Sequence, residues 1–276
     1  MNVRSTNQQR YHRAAPLEQS SGRHRTSLSV FLAGLALTAL AFSGTLAISR
    51  AQGGGGDSGY TSQFDLESCG FTTTGQNPYF ILIPGYQLIL EGEEDDEEMR
   101  VAITVLGDTE KIFLDDLGNV HTRVVEEREW VDGELAEVSR NFFAVCRRTN
   151  DVYYFGEDVD IYEDGEIVSH DGAWRAGQDG ARPGIAMPGT FLLGSRYYQE
   201  VAPDVALDRA EHVTTGLTIE TPAGLFTDAV QVLETTPLDP DEEGFKFYAP
   251  GVGLIVDEAL ELVGYGYIKP KHWPEE

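Results

Sequence analysis

Lysine is nearly missing from this chain, with Lys111, Lys246, Lys269 and Lys271 its only examples. The 46 acidic side chains outnumber the 20 basic ones and give a formal charge of −26. Such a charge repels phosphate backbones and anionic lipid surfaces, so nucleic acid is excluded as a partner. Cysteine is limited to Cys69 and Cys146, too far apart for a C-x-x-C redox motif. Neither G-x-S-x-G nor H-E-x-x-H occurs, and His121, His170, His212 and His272 are scattered, so serine-hydrolase and zinc-protease signatures are both missing. Beyond residue 51 no long stretch shows the 3.6-residue apolar period, which argues against helical and doubly wound folds.

One long apolar run is present. Ser27 to Ser49 carries no charge and follows Arg4, Arg10, Arg13, Arg23 and Arg25, the pattern of a basic n-region before an apolar h-region. Ser49 and Ala51 suit a cleavage site after Ala51, while the run is also long enough to anchor the chain uncleaved in a bilayer. Residues 1–51 are therefore expected to be a signal peptide or N-terminal membrane anchor. The only membrane contact expected is through that segment, and the location is extracellular, periplasmic or at the cell envelope. Residues 52–59, QGGGGDSG, read as a flexible linker. The rest, 60–276, suits one acidic all-β domain. Residues 1–51 hold six of the basic side chains and one of the acidic ones, so their removal moves the formal charge from −26 to −31. In an oxidising compartment Cys69 and Cys146 are expected to form a disulfide.

From Tyr86 onward, apolar and polar residues alternate with period two, broken by turn signals such as Asp132-Gly133 and Asp164-Gly165. The expected fold is mainly β, an antiparallel meander curled into a half-open barrel or sandwich. Two segments depart from the alternation. Gly172 to Gly194 reads as one long Gly- and Pro-rich loop, and Asp204 to Glu211 as a short helix. Glu91 to Glu98 reads as a solvated acidic connection.

The chemistry-bearing candidates lie around that loop. Trp174, Arg175, Asp179 and Arg182, with Glu157 and Glu200 outside it, supply an aromatic plane, hydrogen-bond donors and carboxylates for a ligand. In the competing reading Trp174 plugs one end of the barrel and the arginines pair with surrounding acids. Asp158, Asp160 and Asp164 fall on one face of an extended strand and offer oxygen ligands to Ca²⁺, although the spacing fails the EF-hand template. No other cofactor is expected.

Asn77-Pro78-Tyr79-Phe80 with Ile83-Pro84-Gly85, Tyr154-Phe155-Gly156-Glu157, the Asp171 to Pro188 loop, Tyr198-Gln199-Glu200 and Tyr248-Ala249-Pro250-Gly251-Val252-Gly253-Leu254 together carry a resemblance. In these segments the chain resembles a family of uncharacterised exported bacterial proteins. The resemblance implies export and a β fold and adds no reaction. A non-catalytic binding or envelope-associated domain, holding a small molecule, a polymer or a protein, is therefore expected. A secreted hydrolase or lyase acting on a polymer is the alternative, and calcium-dependent adhesion a third reading.

Overall fold

A computed structural model describes residues 59–268, so the expected leader and residues 52–58 of the linker lie outside the described residues. Within them the chain is all-β and contains no helix. Three short strands come first: β1 (Phe71–Thr72), β2 (Gly75–Asn77) and β3 (Phe80–Leu82). Five long ones follow, β4 (Tyr86–Glu94), β5 (Glu97–Leu114), β6 (Gly118–Val131), β7 (Glu134–Cys146) and β8 (Val152–Glu163). Then come β9 (Glu166–Ser169), β10 (Trp174–Arg175), β11 (Arg182–Met187), β12 (Arg196–Tyr198) and β13 (Glu200–Val201). The chain ends in β14 (Arg209–Thr221), β15 (Gly224–Thr235), β16 (Glu243–Ala249), β17 (Gly253–Asp257) and β18 (Leu260–Tyr267).

Hairpin after hairpin builds a single antiparallel sheet in the order β12-β14-β15-β16-β17-β18-β4-β5-β6-β7-β8-β11-β13. The turns follow from local chemistry: Asp132-Gly133 and Asp164-Gly165 both adopt positive φ, which Gly tolerates freely and Asp better than most residues. Asp95 and Asp96 do the same, so the acidic stretch is a tight hairpin with Glu93 opposite Glu98 and Glu94 opposite Glu97. Glu91, Glu93, Glu94, Glu97 and Glu98 thus sit on strands, with Asp95 and Asp96 in the turn between them.

The sheet is half open. Its first and last strands, β12 and β13, are two halves of one segment, Arg196 to Val201, separated only by Gln199. That segment reaches both edges of the sheet because Gly184 lets it approach; a Cβ there would lie 2.5 Å from the Gln199 carbonyl carbon.

Two sequence expectations are corrected. Gly172 to Gly194 is not one loop: Arg182–Met187 is a strand paired with β8, because Ile185 and Met187 are apolar enough to be buried against it. Asp204 to Glu211 is not a helix either. Asp204 takes φ 62° in a turn closed by the Ala202–Ala206 bridge, and Arg209 onward pairs with β15. The left-handed Asp204 stops helix propagation before it begins.

The outer face of β8 is covered by the N-terminal segment, where Phe64 and Phe71 meet Tyr153 and Phe71 meets Phe155 edge-on. A disulfide between Cys69 and Cys146, with Cα atoms 4.6 Å apart, fastens this segment to β7, as expected from the sequence. The β2–β3 hairpin covers the interior: Phe80 packs on Phe143 at 5.2 Å, and buried Asn77 donates to the carbonyl of Met187 at 3.1 Å.

Candidate functional site

Inward positions read apolar near that hairpin and acidic further along. On β6 the order is Val125, Glu127, Glu129; on β7 it is Phe143, Asn141, Ser139, Glu137. β16 presents Tyr248 and then Lys246, and Lys246 stands level with Val232 on β15 and Asp257 on β17. The apolar part holds a small cavity of about 50 Å³ among Phe80, Leu88, Ile103, Phe143, Tyr248 and Leu254.

A β-bulge adds Glu157 to the acidic layer. Across β7 and β8, Asn141 lies opposite Glu157 and Phe143 opposite Tyr154, so three steps on β8 match two on β7. Gly156 supplies the extra residue at φ 140°, and a Cβ there would lie 2.5 Å from the Trp174 carbonyl oxygen. Without the bulge, Glu157 would share the outer face with Tyr153 and Phe155; with it, Glu157 joins Tyr154 on the inner face. Tyr154 stacks on Phe143 at 4.8 Å and donates its hydroxyl proton to Asn141 at 2.5 Å.

Burial dominates the electrostatics of this layer. Glu127, Glu157 and Glu200 are held far above the usual carboxylate range, chiefly by loss of solvent. For Glu157 the nearby carboxyls of Glu137, Asp208 and Glu127 push the same way, while the Tyr154 hydroxyl opposes them. Glu129 is raised to about 8 by burial and then by Glu137, and burial alone takes Glu137 to about 7. Asp208 is raised to about 7 by burial and by Glu234, and donates its main-chain N–H to Glu200 at 2.6 Å. The layer's one base among the described residues is Lys246. It is fully buried, 3.2 Å from Glu234 and 3.4 Å from Asp257, and burial raises Asp257 to about 6 in spite of it. One ammonium cannot neutralise so many carboxylates in a low-dielectric interior, so most of them stay protonated at neutral pH.

The layer meets solvent at a cleft of about 410 Å³ between β8, β10 and the Ala202–Val205 turn. Four of the sequence candidates line it: Glu157, Trp174, Arg175 and Asp179. The short strand β10 lies alongside β8 with Trp174 opposite Glu157 and Arg175 opposite Gly156, which sets both side chains at the mouth. Trp174 is 6% exposed, edge-on to Tyr154 at 5.1 Å, and its Nε1 has no hydrogen-bond partner. Arg175 lies over the Phe142 ring at 4.0 Å and holds Asp158 through Nη2 at 3.0 Å, while its Nη1 has no hydrogen-bond partner. Both carboxyl oxygens of Glu157 are buried, with the Tyr154 hydroxyl, which donates to Asn141, beside them. Trp174 and Arg175 thus do part of what each sequence reading asked, closing the barrel and pairing with an acid while lining a cavity.

The two other candidates fall outside the cleft. Glu200 is buried behind it, facing Tyr154, Gln199, Asp208 and Glu234 around a void of about 10 Å³, room for one water. Arg182 is exposed and pairs by its backbone with Val201. Of the proposed calcium ligands, Asp158 is engaged by Arg175, Asp160 by Arg140 and His170, and Asp164 occupies the β8–β9 turn. Among the described residues no group of three or more His, Cys, Asp or Glu side chains is placed to hold a metal ion.

Fold and site together define a half-open antiparallel sheet, curled as a barrel or sandwich, with a layer of buried acids behind one cleft. Family models, curated proteins and solved structures provide no match to this chain.

Proposed function

We propose that this protein is an exported, non-catalytic binding domain, released or held at the cell envelope, that takes a small molecule or the end of a polymer into the Glu157–Trp174–Arg175–Asp179 cleft. The observation that carries this reading is a ligand-sized cavity of about 410 Å³ whose wall brings together an indole ring, a guanidinium and carboxyl side chains from separate segments. The basic, apolar leader and the Cys69–Cys146 bridge support export.

Mass spectrometry of the protein purified under native conditions from its own host tests the proposal. A compound should leave with the wild type and be lost from Trp174→Ala, which removes the ring from the cavity wall. Recovery of the same compound from both would place the ligand elsewhere. The hydrolase or lyase reading is favoured by one observation, that Glu157 lies close enough to Glu200 to raise it, as in acid pairs that handle protons. Release of new reducing ends from a polysaccharide panel, abolished in Glu157→Gln, would establish it over binding alone.

A further inference from the structure

We propose that Lys246, Asp257 and Glu234 form a self-modifying site, at which the Lys246 amine and the Asp257 carboxyl condense into an isopeptide bond that ties β16 to β17. The three side chains are 1%, 2% and 1% exposed, so whatever they do, they do to one another. Lys246 and Asp257 stand directly opposite each other on the two strands, with Nζ 3.4 Å from Oδ2. Glu234, on β15 at the other flank of β16, brings Oε2 to 3.2 Å from the same nitrogen. Its Oε1 accepts from Gln199 Nε2 at 2.9 Å, which fixes the carboxyl in place. Nucleophile, acyl group and proton carrier thus sit on three adjacent strands held in register by their ladders.

In water an amine and a carboxylic acid exchange a proton and stop at the salt, because hydration stabilises both ions. Burial weakens that stabilisation and keeps bulk water from the product. Holding the groups face to face also makes the condensation unimolecular, and well-placed partners reach effective molarities of about 10⁵–10⁸ M. Burial favours the neutral amine of Lys246, but the charges of Asp257, Glu234 and Glu127 outweigh it, so the resting group is an ammonium. The first step is therefore transfer of one Nζ proton to the Asp257 carboxylate. The Nζ lone pair then adds to Cγ, forming the C–N bond and pushing the carbonyl electron pair onto oxygen, while a second Nζ proton passes to Glu234. Glu234 returns that proton to the hydroxyl on Cγ, the oxyanion re-forms the carbonyl, the C–O bond breaks and water leaves. One ammonium and one carboxylate become one amide and one water, and Glu234 ends as it began. The void of about 10 Å³ beside Glu234 and Gln199 has room for that water.

Peptide mass mapping of the purified, reduced and denatured chain tests this. Lys246 is the only tryptic site between Arg209 and Lys269, and trypsin does not cut after an acylated lysine. The segments on either side of Lys246 should therefore stay in one peptide, lighter by one water, with fragmentation placing the loss between Lys246 and Asp257. In Asp257→Asn ammonia leaves in place of water, so the same linked peptide should form; in Asp257→Ala it should be absent. Glu234→Gln, which keeps an acceptor for Gln199, should retain the native circular dichroism and lose about nine-tenths of the linked peptide. Complete cleavage after Lys246 in the wild type would overturn the bond, and that result does not depend on the stability of any variant. A lost water that bridges Lys246 and Glu234 would overturn Asp257 as the acyl group. Undiminished linkage in folded Glu234→Gln would overturn Glu234 as the proton carrier.

Discussion

Glu129 offers the sharpest test of the acid layer, because its carboxyl is largely buried and raised from 4.5 to about 8, first by burial and then by Glu137. A carboxyl with a higher pKa in the folded than in the unfolded chain keeps its proton longer in the fold. It leaves stability untouched below about 4.5, erodes it as pH climbs toward 8, and has its full unfavourable effect beyond. Ionising it in place costs about 5 kcal/mol at roughly 1.4 kcal/mol per pH unit. Relaxation of neighbours and entry of water reduce this, so about 2–3 kcal/mol is expected. Glu129→Gln keeps the shape and removes the titration. For a domain of this size each kcal/mol moves Tm by about 2–4 °C. Thermal unfolding followed by circular dichroism should therefore show the variant about 5–10 °C above wild type at pH 9 and within a degree or two of it at pH 4.5. A difference that stays constant from pH 4.5 to 9 would refute the argument, because it would mean that Glu129 is solvated and ordinary.

Two further perturbations probe the frame. Replacing both Cys69 and Cys146 with Ser opens a loop spanning 77 residues and should cost about 4 kcal/mol, seen as a matching loss in urea unfolding; reduction of the wild type should reproduce it. Lys246→Met removes the base between Glu234 and Asp257 and should destabilise the domain by about 3–5 kcal/mol at pH 8, with part of the loss recovered at pH 5, where Asp257, raised to about 6, takes up a proton. A Lys246→Met variant as stable as wild type at pH 8 would show that the pair is open to solvent.

The strands and most hairpin turns were legible because alternation and Asp-Gly pairs act locally, within a few residues of one another. The disulfide was legible from compartment and count. Of the six candidate binding residues, four meet in one cleft because the Trp174–Arg175 segment pairs beside Glu157, which the loop composition hinted at without showing. The inner acids were not legible. Glu127 and Glu129 sit in the run Val124-Val125-Glu126-Glu127-Arg128-Glu129, where both faces carry charge, so alternation does not separate inside from outside. Glu157 was hidden for another reason: the Gly156 bulge reverses its face, and a period-two reading places it outward. Lys246 left the clearest trace, a lysine between two phenylalanines in a chain with only four lysines.

The acidity of this chain thus has two parts that obey different physics. Surface carboxyls such as those of Glu91 and Glu98 meet water; the inner ones hold protons that the unfolded chain would release below about pH 5. Their number is bounded by stability itself. Each proton retained by the fold and lost on unfolding lowers stability by about 1.4 kcal/mol per pH unit, so a domain with about 5–15 kcal/mol to lose can carry no more than roughly two to four of them from pH 5 to 8. Glu127, Glu157 and Glu200, held highest by burial, and then Glu129, at about 8, are the groups expected to supply them. Potentiometric titration of native and urea-unfolded protein measures the difference directly: the native chain should hold two to four more protons than the unfolded one between pH 6 and 8. If the two curves superimpose over that range, the inner carboxyls are ionised in the fold, and the layer must then be open to water.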